Sequence, residues 1–257
     1  MKKLKIAVTL AFFAFGLVAI KAQTPEHILK DYELVWSDDF NGQTIDTLKW
    51  NYRDTGNKRN VGYVRTDNCF VDGKGHLVIK VAQVDSMYTI GQIGTQNTFM
   101  TRYGYFECRA QMNVQPGPHV AFWLQSPTIH EEKDNPQQYG TEIDIFEYHI
   151  AEGLNNVYHN LHWNGYKQKH QHAGTKVKVD GINRGFHTFG VEWTKDEYIF
   201  YVDGIETWRT QEAVSNIEEY MILSAELTGW GGDYRKADFP DQVLFDYVRV
   251  YKPVQNK

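Results

Sequence analysis

Apolar and polar residues alternate with period two along most of this chain. Leu77-Val78-Ile79-Lys80-Val81, Glu197 to Val202 and Val243 to Tyr251 are rich in β-branched and aromatic residues, the composition of strands. Asp72-Gly73-Lys74-Gly75, Pro116-Gly117-Pro118 and Asp203-Gly204 punctuate them as turns. Beyond the first residues no long segment has the 3.6 period of a helix, and no repeat is visible. Many short strands separated by turns predict a two-sheet sandwich. Ser126 to Gly140 carries Pro127, Pro136 and several charges without periodicity. A loop of that length in a β domain is usually functional or disordered.

The N-terminus follows a different rule. Lys2, Lys3 and Lys5 precede an apolar run from Ile6 to Ile20. That run is short of the roughly 20 residues needed to span a bilayer and matches the core of a signal peptide. Residues 1–22 are therefore expected to be a leader removed after Ala22. No cysteine lies there for lipid attachment. The chain is expected to be secreted or periplasmic, with no membrane contact after cleavage. Residues 23–257 are expected to form one all-β domain, and a monomer is expected.

Composition narrows the function. The net charge of −5 argues against nucleic acid or an anionic membrane as partner. The chain holds 16 Tyr, 14 Phe and 7 Trp, residues that fill cores and also stack on sugar rings. Cys69 and Cys108 are the only cysteines, too few for a disulfide scaffold or a zinc cluster. Cys108 shares a strand face with Phe106, Ala110 and Met112, so a buried free thiol is the default, and a Cys69–Cys108 bridge is the alternative.

The chemistry concentrates in Thr141-Glu142-Ile143-Asp144-Ile145-Phe146-Glu147-Tyr148. On a regular strand Glu142 and Asp144 share one face, and Glu147 falls among the core residues. Burying an unpaired carboxylate costs several kcal/mol at least. One extra residue, a β-bulge near Ile145-Phe146, returns Glu147 to the polar face. The two glutamates then lie four strand positions apart, roughly 13 Å between Cα atoms, with side chains able to lean inward. Carboxyl groups about 5–5.5 Å apart suit a retaining glycosidase. Clustered like charges cannot all ionise freely, so at least one of them should have a raised pKa. The plain alternative is an edge strand with a solvated acidic face.

This segment resembles the signature of glycoside hydrolase family 16 in its bulged form, found in laminarinases, agarases, porphyranases and κ-carrageenases. Leu34 to Gly42, Tyr103 to Ala110, Ala121 to Leu124, Phe186 to Trp193, Tyr201 to Gly204 and Phe245 to Tyr251 resemble other strands of the family, in order. The resemblance implies a β-jelly-roll sandwich of two antiparallel sheets with an open concave cleft, and endo-acting, retaining hydrolysis. It implies Glu142 as nucleophile, Glu147 as general acid/base, Asp144 as the residue orienting the nucleophile, and Trp123 as a cleft wall. It also implies a structural calcium held by Asp39, the Gly42 carbonyl and Asp246; the chemistry itself requires no cofactor.

Further candidates come from strand faces. His162 shares a face with Tyr158 and Asn160 and could bond Asp144 or Glu147, or be merely structural. Glu226 lies opposite the apolar face Met221, Leu223, Ala225 and Leu227, in the cleft or in solvent. Trp230 among glycines is a sugar platform or a lid over the core; Trp163 is a weaker platform candidate, with core packing as its alternative. Arg102 and Arg65 could bind hydroxyls or anionic substituents. The expected partner is a polysaccharide or oligosaccharide, with β-1,3- or mixed-linkage β-glucan the default. Galactans (agar, porphyran, carrageenan) or host glycans are the alternative, since the Ser126–Gly140 loop and the histidines from His159 to His172 depart from simple laminarinase patterns. A non-catalytic carbohydrate-binding jelly roll is the competing class, and the presence of all three acids speaks against it.

Overall fold

A computed structural model describes residues 23–254; the expected leader lies outside the described residues. Two antiparallel sheets pack face to face. One runs Gln171–Lys178, Asn156–Trp163, Glu142–Tyr148, Gly117–Gln125, Tyr220–Gly231, Met87–Gly94 and Asn51–Tyr52. The other runs Ile205–Thr210, Tyr198–Val202, His187–Trp193, Gly104–Gln111 and Asp241–Pro253. Beyond Asp241–Pro253 its two halves pair with Leu77–Val84 and Tyr32–Asp38. Leu77–Val84 continues into a hairpin with Met87–Gly94 and so carries the chain from one sheet to the other. This is the all-β sandwich expected from the alternating pattern, and helix is confined to short pieces such as Glu26–Asp31 and Pro136–Tyr139.

The core lies between the sheets. Phe106, Phe122, Ile143, Ile145, Phe146, Phe189, Leu223 and Phe245 are fully buried there. Burying each such side chain stabilises by about 1.5–3 kcal/mol. Cys69 and Cys108 are buried free thiols, with no bridge between them. Among the described residues no helix is long and apolar enough to cross a membrane.

The Ser126–Gly140 segment is tied down rather than loose. The Ser126 and Thr128 hydroxyls donate to the Tyr139 carbonyl at 2.6 and 3.0 Å, and Thr141 N–H donates to buried Glu219 at 3.0 Å. Gly140 closes this loop at φ +81°, where a Cβ would stand 2.2 Å from Ser126 Cβ. Only glycine fits that turn.

Candidate active site

The acids stand on Glu142–Tyr148, a strand flanked by Gly117–Gln125 and Asn156–Trp163. Against the second neighbour Glu142 faces His162, Asp144 faces Asn160 and Glu147 faces Tyr158, so one extra residue separates Asp144 from Glu147. The same offset occurs against Gly117–Gln125, where Asp144 faces Trp123 and Phe146 faces Phe122. This is the bulge that the spacing of the carboxylates requires. Ile145 and Phe146 both turn into the core, and Glu147 returns to the face of Glu142 and Asp144. The bulge also leaves the Ile145 carbonyl outside the regular ladder. His159, wholly buried on the next strand, donates to it from Nδ1 at 2.7 Å, and Nε2 meets the Thr207 hydroxyl at 2.9 Å. Burial pushes the His159 imidazole down to about 4, so it stays neutral in this role.

Above the acids lies a cleft of about 650 Å³, lined by Trp123, Gln125, Tyr166, Glu226 and Trp230 among others. Glu142, Asp144 and His162 each place one polar atom within 4.8 Å of the other two. Glu142 accepts from the Tyr166 hydroxyl and, at 3.3 Å, from Gln125. His162 Nε2 stands 3.3 Å from Asp144 Oδ2, and His162 Nδ1 meets His170 Nε2 at 2.9 Å. Glu147 accepts from Asn160 Nδ2, and His119 Nε2 lies 2.8 Å from its other oxygen.

The three carboxyls differ in proton affinity. Burial, reinforced by the Asp144 charge, pushes Glu142 up to about 8. Burial and the Glu147 charge push Asp144 well above the usual carboxylate range. Burial would raise Glu147 too, but the His119 charge and the hydrogen bond from Asn160 hold it below its ordinary value. The groups raised by the clustered charges are therefore Glu142 and Asp144, not Glu147.

Trp123 walls the cleft, its indole N–H donating to Ser224 Oγ at 3.2 Å. Glu226 lines the cleft too, paired with Arg59 at 3.1 Å. Trp230 is 61% exposed at the rim, its ring 5.8 Å from His119. Trp163 is not a platform. Val157, His159, Leu161 and Trp163 form the inward face of their strand, and Trp163 packs in the main core. Arg102 is not in the cleft lining; it bonds Asn216 at 3.3 Å and lies over Tyr103.

Asp39 and Asp246 are engaged by arginine. Arg249 donates to Asp39 at 2.8 Å, and Arg109 donates to Asp246 at 2.6 Å. Gly42 lines a small surface pocket with Asp38, Asp39 and Asp46. Guanidinium groups thus already neutralise the two carboxylates that a calcium ion would need, so the residues do not fit calcium in this arrangement. Adding EDTA is expected to leave the melting temperature unchanged in calorimetry. A rise on adding calcium would restore the ion to this site.

Several site residues are not among those the sequence singles out. His119 extends the cleft face of Ala121, Trp123 and Gln125 by two positions, a period-two signal that could have found it. Arg53 and Tyr166 come from irregular segments and Arg59 from the two-residue strand Lys58–Arg59, with no such pattern. Arg53 lies over the rings of Trp123 and Tyr220 at 5.7 and 5.3 Å. Its Nε and Nη1 are buried and lack a hydrogen-bond partner.

The domain model described as the GH16 domain of β-porphyranases A–D matches residues 33–253. The keratan-sulfate endo-1,4-β-galactosidase of Sphingobacterium multivorum is 28% identical over 242 residues, 86% of this chain and 56% of that protein. The chain thus spans just over half of that relative. The β-glucanase of Rhodothermus marinus is 28% identical over 257 residues, covering 87% of this chain and 86% of its own length. The laminarinase catalytic domain of Thermotoga maritima shares the fold with a TM-score of 0.75 at 28% identity, over 88% of this chain and 100% of that one. With the bulged acid strand, the two-sheet sandwich and a model match across nearly all of the described chain, this protein belongs to glycoside hydrolase family 16.

Proposed function

We propose that this protein is a retaining endo-hydrolase of a β-linked galactan that carries anionic substituents, sulfate or carboxylate. Glu142 is the nucleophile in this reading and Glu147 the general acid/base. Asp144, with His162 behind it, orients the nucleophile and adjusts its proton affinity. Glu142 attacks the anomeric carbon while Glu147 protonates the departing oxygen. Glu147 then takes a proton from the water that releases the covalent intermediate. Trp123 and Trp230 supply aromatic faces for sugar rings, and Glu226 accepts from hydroxyls. The basic and apolar leader directs the chain to export.

The choice of substrate rests on Arg53. A guanidinium with two buried, unpartnered nitrogens is costly to leave unmade. An anionic substituent on the bound sugar would complete it with charge-assisted bonds. Arg59, by contrast, is already matched by Glu226 and Asp54. The porphyranase model and the keratan-sulfate galactosidase support the same choice. The β-glucanase and the laminarinase support the glucan alternative, which the same assay tests.

Purified protein is to be assayed by product sizing on porphyran, keratan sulfate, their desulfated forms, agarose, laminarin and lichenan. The sulfated galactans are expected to be cleaved best. Arg53→Gln should lower kcat/KM on them about 10–100-fold, the worth of one charge-assisted bond, and leave the desulfated polymers within a few-fold. Preferred cleavage of laminarin would overturn the galactan reading. No cleavage of any polymer would favour a binding module.

A further inference from the structure

His119 and Asn160 both touch Glu147 without a part in the double displacement itself, and of the two only the imidazole can carry a proton. His119 is 8% exposed and held from two sides. Nδ1 meets the Thr228 hydroxyl at 3.1 Å, and Nε2 lies 2.8 Å from Glu147 Oε1, within reach for a proton but off the line of a hydrogen bond in the empty cleft. The Trp230 ring covers it at 5.8 Å, and the His149 ring stands edge-on at 5.8 Å. Water therefore has little access to the contact, and the imidazole cannot swing away without losing both partners.

We propose that His119 is a positioning residue that stores the proton Glu147 delivers, the two side chains sharing one proton across the Nε2–Oε1 contact. The inference rests on Glu147 being the acid/base. In the resting cleft the proton sits on His119 and Glu147 is a carboxylate. As the glycosidic bond breaks, the proton crosses from Nε2 to Glu147 and on to the leaving oxygen, leaving His119 neutral and Glu147 ionised. In the second step the water attacking the intermediate gives its proton to Glu147, and that proton returns to His119. Each cycle begins and ends with one proton on the pair.

The surroundings support this division. Burial disfavours a charged imidazole, but Glu147, then Glu226 and Asp144, face His119 and hold its proton affinity above the ordinary value. His149 opposes them weakly from the turn after the acid strand, and is itself pushed down by burial and by His119. Arg59 partly neutralises Glu226 and so leaves Glu147 as the main partner. The pair explains how Glu147 can act as an acid although its own carboxyl is held below the usual range. The acidic proton belongs to the pair rather than to either residue.

The pair loses its last proton at a higher pH than Glu147 alone would, because His119 binds it more tightly. In His119→Asn and His119→Gln the alkaline limb of kcat/KM should move toward acid by about one pH unit or more, with the rate on the acid side kept within about fivefold. A uniform fall in rate at unchanged limbs in both variants would make His119 merely structural and overturn the proposal. NMR titration of the His119 ring, assigned by its loss in His119→Asn, tests the pair without any substrate. Its midpoint should lie above that of a free imidazole in the parent and fall below it in Glu147→Gln. An unchanged midpoint would overturn the proposal even if the protein cleaves every galactan. A fallen midpoint in a protein that cleaves nothing would leave the pair standing and refute the enzymatic reading alone.

Discussion

Glu142→Ala is expected to lower kcat/KM on the best polysaccharide by about 10⁴-fold or more, the scale seen when a covalent nucleophile is removed. The loss should be in kcat. In the proposed mechanism Glu142 meets the anomeric carbon, whereas sugar binding is spread over Trp123, Trp230, Glu226 and Arg53, which line the cleft. The fold should survive. Ile143, Ile145 and Phe146 hold the strand in the core, and truncating Glu142 removes a carboxyl that burial already disfavours in its ionised form. Azide gives a sharper readout than the loss itself. In the space vacated by the carboxylate it should attack the opposite face of the sugar and yield a glycosyl azide of inverted, α configuration. Product NMR reads that configuration. A β-azide, or full activity without azide, would remove Glu142 from the nucleophile's place.

Glu142 also fixes the sign of the acid limb. It must be ionised to attack, and burial with the Asp144 charge raises it to about 8 in the empty cleft. The acid limb of kcat/KM should therefore lie above the ordinary carboxylate range of about 4. Tyr166 and Gln125 donate to the Glu142 carboxylate and oppose the shift.

The acid strand was legible because a polar and apolar alternation that fails by one residue has a single cheap repair. Three carboxylates and three large apolar side chains cannot all be placed on a regular strand, and the bulge between Asp144 and Glu147 places them. Trp123 could be read for the same reason, since Gln125 marks its face as polar. Trp163 takes the core position rather than the platform, as the face shared by Tyr158, Asn160 and His162 implies for their neighbour. The strand Asn156–Trp163 alternates buried and half-buried positions, and Trp163 belongs to the buried set with Leu161. Arg53 and Arg59 reach the cleft from one stretch and Tyr166 from another far along the chain, and no local period brings them there. His159 was invisible in a different way. Its task is to satisfy a carbonyl that exists only because of the bulge.

Glu147→Gln should separate the two halves of the reaction. On a polysaccharide the leaving sugar oxygen is a poor leaving group without a proton, so the rate should fall about 10²–10⁴-fold. An aryl glycoside with a nitrophenolate leaving group needs no such help, and its first step should be nearly unimpaired. The second step still needs a base to activate water, and a neutral amide at that position cannot serve. The covalent intermediate on Glu142 should therefore accumulate, visible as a burst of nitrophenolate and as an added glycosyl mass on the Glu142 peptide. Asn160 remains in place to bond the amide oxygen at position 147, so the strand geometry should persist. Equal losses on the polymer and the aryl glycoside, with no adduct, would mean that Glu147 shapes the cleft rather than moves a proton. In that case the shared proton on His119 would have no acceptor on the path to the substrate.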